Sequence, residues 1–593
     1  MSKWMMAAKR ADFNAIAAKY NIDPVLARII RNRDIIEDKD IDKFLNGTRA
    51  DLYSPYLLKD IEKAADILLE KTAEKKHIRI IGDYDIDGIC STYILYKGLT
   101  ACGAYVDTVI PHRIKDGYGL NDNLIYEAKE SGADTILTCD NGIAAKAQIE
   151  LANSLGMTVI VTDHHEVPYE EKDGERIYLV PPAAAVADPK QPDCTYPFPE
   201  ICGAVVAYKL VLALIAKKEN ISWDMAMETE LGLELFEFAA FATIGDVMEL
   251  KDENRIIVKS GLELMKNTRN VGLKALMDVT QTNAGSIKPY TIGFVLGPCL
   301  NATGRLDTAV NALELFKADS AAEAVRLAEN LKNMNDSRKE LTQKGVDKAI
   351  ELIESGEYEN DRVLVIFLPD VHESLAGIIA GRIREKYNKP TFVLTRAEEG
   401  VKGSGRSIEA FHMYDEMTKC NGLFTKYGGH KLAAGLSLPE ENIEPFRRAL
   451  NENCTLTEED FEEKVLIDVP MPMGYVDFKL IDELNLLEPF GNGNPKPLFA
   501  QKDVSFLSGR ILGANKNVGK YTVSCGENAR FELIYFGDIT EFNAYLARKF
   551  GEDEAEKLYT GDKNSITLSV AYYPDINEFR GNVSIQMVMK YYQ

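Results

Sequence analysis

Asp83, Asp85 and Asp87 stand at every second position of Asp83-Tyr-Asp-Ile-Asp-Gly88, directly after the run Ile78-Arg-Ile-Ile-Gly82. Asp140 opens Asp140-Asn-Gly142 after Thr135-Ile-Leu-Thr-Cys139, and Asp163-His164-His165 closes the run that starts at Val159. Carboxylates with one or two imidazoles and no thiolate make a hard-to-borderline donor set. It suits magnesium or manganese better than structural zinc, and the imidazoles tilt the choice toward manganese. Asp140 can bridge two ions if the flanking ligands serve one each. Two metals about 3.5–4 Å apart activate water and stabilise both oxygens of an in-line phosphoryl displacement. An acidic DxDxD loop alone would also read as a calcium loop, but the EF-hand pattern and its terminal glutamate are missing. A lone His-His pair is more often structural. Three such motifs in one stretch are hard to explain as packing, and the set reads as a two-metal site.

The elements that must position these groups alternate. Strands are expected at 78–82, 105–110, 135–139 and 158–162, with helices at 90–101, 121–131 and 144–155. Short apolar strands alternating with helices imply a mostly parallel sheet with right-handed crossovers. Ligands then lie beyond the carboxyl ends of the strands. Helices follow at 203–217 and 229–243, the latter ending in Thr-Ile-Gly-Asp246. Asp246 is a further candidate ligand, although an acid at a helix end is more often solvated or a cap. Gly297 to Arg305 reads as a glycine-bounded loop whose guanidinium could clamp a phosphate bidentately. Ser320 caps a long amphipathic helix running to about 355, with Leu327, Leu331, Met334 and Leu341 on one face, as a connector. A second α/β unit starts at 363–367. Its two glycine-rich turns, Lys402-Gly-Ser404-Gly-Arg406-Ser407 and Gly428-Gly-His430, suit an oxyanion cradle of backbone N–H groups. Beyond 458 strands dominate, at 465–468, 503–513, 520–525, 530–535, 566–573 and 582–590. They fit an OB-type barrel offering Tyr521, Phe531, Tyr572, Tyr573 and Phe579 for base stacking, though any one of these is more often core. Residues 1–75 read as a helical arm packed on the first domain.

The whole chain, 593 residues, is long enough for several domains. These are expected at 1–75 (arm), 76–315 (catalytic), 316–356 (connecting helix), 357–455 (second α/β domain) and 456–593 (barrel). The amino terminus is too broken by charge for a signal peptide, and no apolar run approaches a membrane span. Nine scattered cysteines without a C-x-x-C pair indicate neither a zinc ribbon nor a disulfide framework. A cytoplasmic protein without a membrane partner is expected. The net charge of −23 argues superficially against nucleic acid. Divalent metals offset carboxylates that this sum treats as bare, and local patches are invisible to it.

Taken in order, Asp83-Tyr-Asp-Ile-Asp-Gly, Asp140-Asn-Gly, Asp163-His-His, Thr243-Ile-Gly-Asp and Gly297-Pro-x-x-Asn-Ala-x-Gly-Arg resemble the DHH phosphoesterase superfamily. Gly403-Ser-Gly-Arg-Ser and Gly-Gly-His430 resemble its DHHA1 domain. The length, the connector helix and the Pro-Phe-Gly-x-Gly-Asn-Pro segment narrow the resemblance to the bacterial RecJ single-stranded-DNA exonucleases. It implies a multidomain α/β fold: a parallel-sheet DHH domain and a smaller α/β DHHA1 domain facing a cleft and joined by a long helix, plus a C-terminal OB-fold β-barrel. It also implies 5′→3′ release of 5′-mononucleotides from single-stranded DNA, in repair and recombination, with two Mn2+ or Mg2+ ions. By the same resemblance Asp83, Asp85, Asp87, Asp140, His164 and Asp246 are ligands. Asp163 orients from behind, and His165 touches the scissile phosphate. Asn301, Arg305, Arg382, Ser404, Arg406, His430 and Arg113 bind DNA phosphates. RNA is a second candidate substrate, a helicase or single-strand-binding protein a candidate partner, and the monomer the expected state. Gly245 and Glu249 stand where alanine and proline are expected, and His372-Glu-Ser-Leu-Ala replaces a more usual His-Pro-Gly-Val-Ile. A rival is a DHH oligoribonuclease or cyclic-dinucleotide phosphodiesterase, for which a barrel and arm are superfluous. A catalytically dead DNA-binding scaffold would be expected to lack ligands, and every one is present.

Overall fold

The β-branched runs of the first α/β segment become the strands of one all-parallel sheet. Its order is Tyr105–Val109, His77–Ile81, Thr135–Cys139, Thr158–Thr162, Ala185–Ala187. This is a computed structural model that describes residues 2–112, 119–306, 308–397, 400–513, 516–526, 529–579 and 581–593. Thr135–Cys139 is buried at all five positions. Continuous burial explains why this run carries no polar alternation, as expected of a strand covered on both faces. Ile78, Ile80, Leu137 and Ile160 face one core with the helices Ile86–Ala101, Gly203–Glu219 and Glu230–Gly245. Ile81, Ile136, Val159 and Val161 face another, with Asp122–Glu130 and Lys146–Ser154. The winding direction reverses between His77–Ile81 and Thr135–Cys139. A crevice opens beyond the carboxyl ends at such a switch point.

The chain divides into two compact units, residues 48–461 and residues 1–47 with 462–593. In the first unit Ser320 caps the helix Ala321–Leu352 by accepting from the Glu323 N–H at 3.3 Å. Its buried side is Leu327, Leu331, Asn335, Thr342, Val346 and Ala349, whereas Leu341 is exposed, contrary to the expected stripe. Over so long a helix the 3.6-residue period carries Leu341 off the buried face. A Cβ on Gly345 would lie 2.5 Å from Ile379, so glycine lets this helix approach the helix Ala376–Tyr387 closely. The second α/β segment forms a mixed sheet in the order Lys426–Gly429, Ala433–Leu438, Val401–Arg406, Thr391–Arg396, Leu364–Phe367.

Two local expectations are corrected. Gly297–Leu306 is a helix, not a loop. Its glycines serve close packing: a Cβ on Gly304 would lie 2.8 Å from the Tyr84 carbonyl oxygen. The glycine-rich pieces at 402–407 and 428–430 are not turns. Residues 401–406 and 426–429 are antiparallel strands. Both segments are extended in one sheet, the second as its edge strand, and form no glycine-rich turn that would gather backbone N–H groups into a cradle.

In the other unit five strands, Phe499–Leu512, Val518–Ser524, Arg530–Tyr535, Asn582–Tyr592 and Thr567–Phe579, close into a barrel through pairing of the first with the last. Tyr521, Tyr572 and Tyr573 are buried in its core and Phe531 packs against it, so these aromatics are not stacking platforms. The side chain of Phe579 lies outside the described residues. The helical arm divides: residues 48–75 pack on the first domain as expected, with Leu58, Ile61 and Leu68 in its core, whereas residues 1–47 belong to this unit. Leu26, Ile29, Ile30 and Phe44 share one core with Met473, Leu484 and Tyr572, and Lys3–Met6 pairs in parallel with Lys464–Ile467. Asn494, buried in the Pro-Phe-Gly-Asn-Gly-Asn-Pro turn, donates to the carbonyls of Leu487 (2.8 Å) and Pro489 (2.9 Å) and accepts from Arg33 Nε at 2.7 Å. Among the described residues no helix is long and apolar enough to cross a membrane.

Candidate active site

The turn after His77–Ile81 closes because residue 88 has no side chain: a Cβ on Gly88 would lie 2.4 Å from the Asp83 carbonyl oxygen. Asp85 caps the next helix, its Oδ1 accepting from the N–H groups of Asp87 (2.9 Å) and Gly88 (3.1 Å). Asp87 anchors a second helix end, accepting from Gly203 N–H (2.7 Å, Oδ2) and Ala204 N–H (2.8 Å, Oδ1). Asp140 follows its strand in the left-handed region (φ 59°), a conformation aspartate tolerates better than most residues. A Cβ on Gly203 would lie 2.9 Å from Asp140 Cβ, so glycine there brings helix, Asp87 and Asp140 together. Asp163 accepts from Ile143 N–H (2.9 Å) and His164 N–H (2.7 Å), and its Oδ1 lies 2.7 Å from His165 Nδ1. His164 Nε2 sits 3.2 Å from Asp140, 3.5 Å from Asp87 and 3.8 Å from Asp246.

These side chains converge. Ligand atoms of Asp83, Asp85 and Asp140 lie within 4.8 Å of one another, as do those of Asp87, His164 and Asp246, and those of Asp140, His164 and His165. Asp140 and His164 each belong to two of the three groups. Gly245, where alanine is expected, is explained by its neighbour: a Cβ there would lie 2.5 Å from Ile86, which fills the space.

Crowding acids in a dry place costs charge. Burial, then the charges of Asp87, Asp85 and Asp83, push the Asp140 carboxyl well above the usual carboxylate range. Burial and Asp87 raise Asp85, and burial with Asp87 and Asp85 lifts Asp246 to about 8. Burial holds His164 below its ordinary value and hence neutral, as a ligand must be. For His165 burial disfavours the charged ring, but the hydrogen bond and charge of Asp163 win and lift it to about 9. Burial would raise Asp163, but the His165 hydrogen bond and charge hold it low. Burial pushes the nearby Cys139 thiol up to about 12, so it stays protonated and offers no thiolate. Acids forced toward their neutral forms, beside a neutral imidazole and with no thiolate, fit divalent cations of the magnesium and manganese class.

A cavity of about 240 Å³ adjoins the cluster, lined by Asp83, Asp85, Asn301, Gly304 and Arg305 among others. The buried Oδ1 of Asn301 has no hydrogen-bond partner among the described residues. Arg305 Nη1 donates to the Ser374 carbonyl at 2.8 Å, tying this helix to the second α/β segment. The other predicted phosphate binders stand apart from the cluster. Ser404 lines a separate cavity. Arg406 Nη1 donates to the Gly405 carbonyl at 2.7 Å, and Arg382 Nη1 to Gln343 at 3.0 Å. His430 is exposed. Arg113 lies outside the described residues. Sequence reasoning missed Asp188, which follows the strand Ala185–Ala187 beside Asp163, is fully buried, and is pushed to about 8 by burial and the Asp163 charge. Its signal is the same strand-then-acid pattern, on a strand too short for periodicity to expose. The role of Gly203 was also missed.

Three family models match in this order: the DHH family N-terminal domain over residues 77–235, the DHHA1 domain over 360–455, and the RecJ OB domain over 467–591. Curated relatives include the single-stranded-DNA-specific exonuclease RecJ of Bacillus subtilis, 35% identical over 89% of this chain and 65% of its own length. The enzyme of the same name from Escherichia coli is 31% identical over 96% of this chain and 95% of its own length. Among solved structures, RecJ from Thermus thermophilus in complex with Mn2+ is similar with a TM-score of 0.80 at 26% identity, covering all of this chain and 79% of that one. A manganese-bound exonuclease RecJ is similar with a TM-score of 0.58 at 32% identity, over 69% of this chain and 98% of that one. With the three domains in matching order and identity above 30% along nearly the full length of a relative, this chain belongs to the RecJ family of single-stranded-DNA-specific exonucleases.

Proposed function

We propose that this chain hydrolyses single-stranded DNA from its 5′ end to 5′-mononucleotides, in repair and recombination, using two divalent cations of the manganese and magnesium class. The observation that carries it is the set of three donor groups sharing Asp140 and His164 at the carboxyl edge of the parallel sheet. Asp83, Asp85, Asp87, Asp140, His164 and Asp246 are the residues that would hold the ions. Bound there, two such ions supply positive charge to both the attacking and the leaving oxygen of an in-line displacement at phosphorus.

The chain's own groups do the rest. Asp163 accepts from His165 Nδ1 and its charge keeps the ring protonated, so Nε2 also holds a proton where the half-exposed edge meets substrate. That proton serves the developing charge on a phosphate oxygen. Arg305, oriented by the Ser374 carbonyl, and Asn301 face the backbone of the incoming strand. Ser404, Arg406, Arg382 and His430 hold the strand's 5′ terminus, and Arg113 adds a further phosphate contact. A monomer in the cytoplasm, supplied with single strands by a helicase or single-strand-binding protein, completes the reading.

The test uses one single-stranded oligonucleotide labelled at either end, with Mn2+ and then with EDTA. Mononucleotides should leave progressively from the 5′ end, only with metal, and more slowly past a 5′ block. Survival of that strand while di- to tetranucleotides disappear would transfer the site to a short-substrate phosphodiesterase.

A further inference from the structure

One face of the DHHA1 sheet forms a pocket of about 400 Å³. Lys402 is paired across strands with Ser437, and Ser437 with Lys426. Ser404 is paired with Gly435, and Gly435 with Gly428. Such neighbours share a face at about 4.5–5.5 Å. A Cβ on Gly428 would meet no atom within 4 Å, and one on Gly435 only the Gly403 carbonyl oxygen at 3.9 Å. Neither glycine is in the left-handed region, so neither packing nor backbone geometry demands glycine there. Their missing side chains leave an open floor.

Two ammonium groups and the hydroxyls of Ser374, Ser404 and Ser437 around that floor are chemistry for an anion. Into the same pocket reaches Glu373, the one acidic side chain among its described lining residues. Its Oε2 lies 2.9 Å from Lys402 Nζ, and it is the less exposed partner of the pair, 21% against 48%. Lys402 and Lys426 are the cations among the described lining residues, and Glu373 lowers their formal balance by one unit. A phosphate monoester carries roughly −1.5 to −2 at neutral pH, whereas an internal diester carries a single charge.

We propose that Glu373 is a specificity-determining residue that, by occupying Lys402, makes this pocket accept a strand whose 5′ terminus is a hydroxyl nearly as well as one ending in a dianionic phosphate. The inference rests on the reading above that the DHHA1 face holds the 5′ terminus. Glu373→Gln keeps the shape and removes the charge. It should raise the ratio of kcat/KM for 5′-phosphorylated over 5′-hydroxyl strands about three- to tenfold, the scale of one partly screened unit charge at this range. The gain should shrink as salt rises. Lys402→Gln should move the ratio the other way. An unchanged ratio in a folded Glu373→Gln protein overturns the proposal and leaves the pair structural. Calorimetric titration of the full chain in EDTA with 5′-dAMP and with deoxyadenosine reads the same preference without turnover. If the wild-type chain digests no DNA, yet Glu373→Gln selectively tightens 5′-dAMP, the nuclease reading fails and the role of Glu373 stands. If DNA is digested and 5′-dAMP affinity does not move, the reverse holds.

Discussion

His165 and its neighbours show how position decides role among similar groups. Asp163 is surrounded by donors and stays ionised, whereas Asp140, Asp85 and Asp246 are driven toward protonation by burial and by one another. His165→Ala should lower kcat about 10²- to 10⁴-fold, the range of a lost proton donor. Mn2+ affinity, read by calorimetry, should change far less than turnover. Asp163→Asn should cost about 10- to 100-fold in activity by loosening that ring, the usual loss when a supporting carboxylate goes. The titrations also carry a sign. Asp246, ordinarily near 3.8, is favoured protonated in the fold up to about 8, so its contribution weakens as pH rises to that value. His165, ordinarily near 6.5, is favoured charged up to about 9, so its contribution is complete below 6.5 and lost as pH rises to 9. Both act in one direction. The melting temperature of EDTA-treated protein should therefore climb as pH falls from 9 to 6.5. Saturating Mn2+ should flatten or reverse that slope, because ligation favours the ionised carboxylates. A flat profile without metal would remove the electrostatic argument.

At the scale of elements the site is a meeting of helix starts with strand ends. The Gly203–Glu219 helix delivers two N–H groups to Asp87, and only a glycine at its first position lets it come so near Asp140. Gly203→Ala should destabilise the fold by about 1–3 kcal/mol, the common cost of an extra methyl in a tight place. Its activity loss at a temperature where the variant remains folded should exceed that of Gly422→Ala, whose Cβ meets no protein atom within 4 Å. Equal losses would mean the Gly203 contact does not position the cluster. The helix Gly297–Leu306 plays the same part from the other side, bringing Asn301 and Arg305 to the cavity beside Asp83 and Asp85.

At the scale of the whole molecule, residues 1–47 complete the C-terminal unit. Arg33 lies 3.3 Å from Asp468 with both side chains largely buried, 5% and 11% exposed, and it also donates to Asn494. Burial lowers the guanidinium's proton affinity, and the Asp468 charge opposes that shift. Arg33→Ala leaves that carboxylate and amide without their partner and should cost about 3–5 kcal/mol, the scale of a broken buried ion pair. Calorimetry should show one transition moving down while the other, from residues 48–461, stays in place. A uniform shift of the whole profile would mean that the units unfold as one.

Order along the chain was enough to place the strand-then-acid motifs, because buried parallel strands must be continuously apolar and their ligands must follow at the carboxyl end. Asp83, Asp85, Asp87, Asp140, Asp163, His164 and His165 are readable on those grounds, and so is the alternation that builds their sheet. What periodicity does not encode is distance between segments. It did not show that 401–406 and 426–429 are paired strands, or that Gly297–Leu306 is a helix, because glycine reads as a turn wherever its neighbours are unknown. It left Asp188 unmarked and did not show that the arm divides, residues 1–47 joining the C-terminal unit and 48–75 the first domain, since a short strand and an amphipathic helix each have an apolar face but no address. Sequence specified which groups could bind metal and phosphate. Tertiary packing decided which of them come within ligand distance of one another, which are held charged, and that Glu373 stands against Lys402, because burial and cross-strand register exist only once the chain has closed on itself.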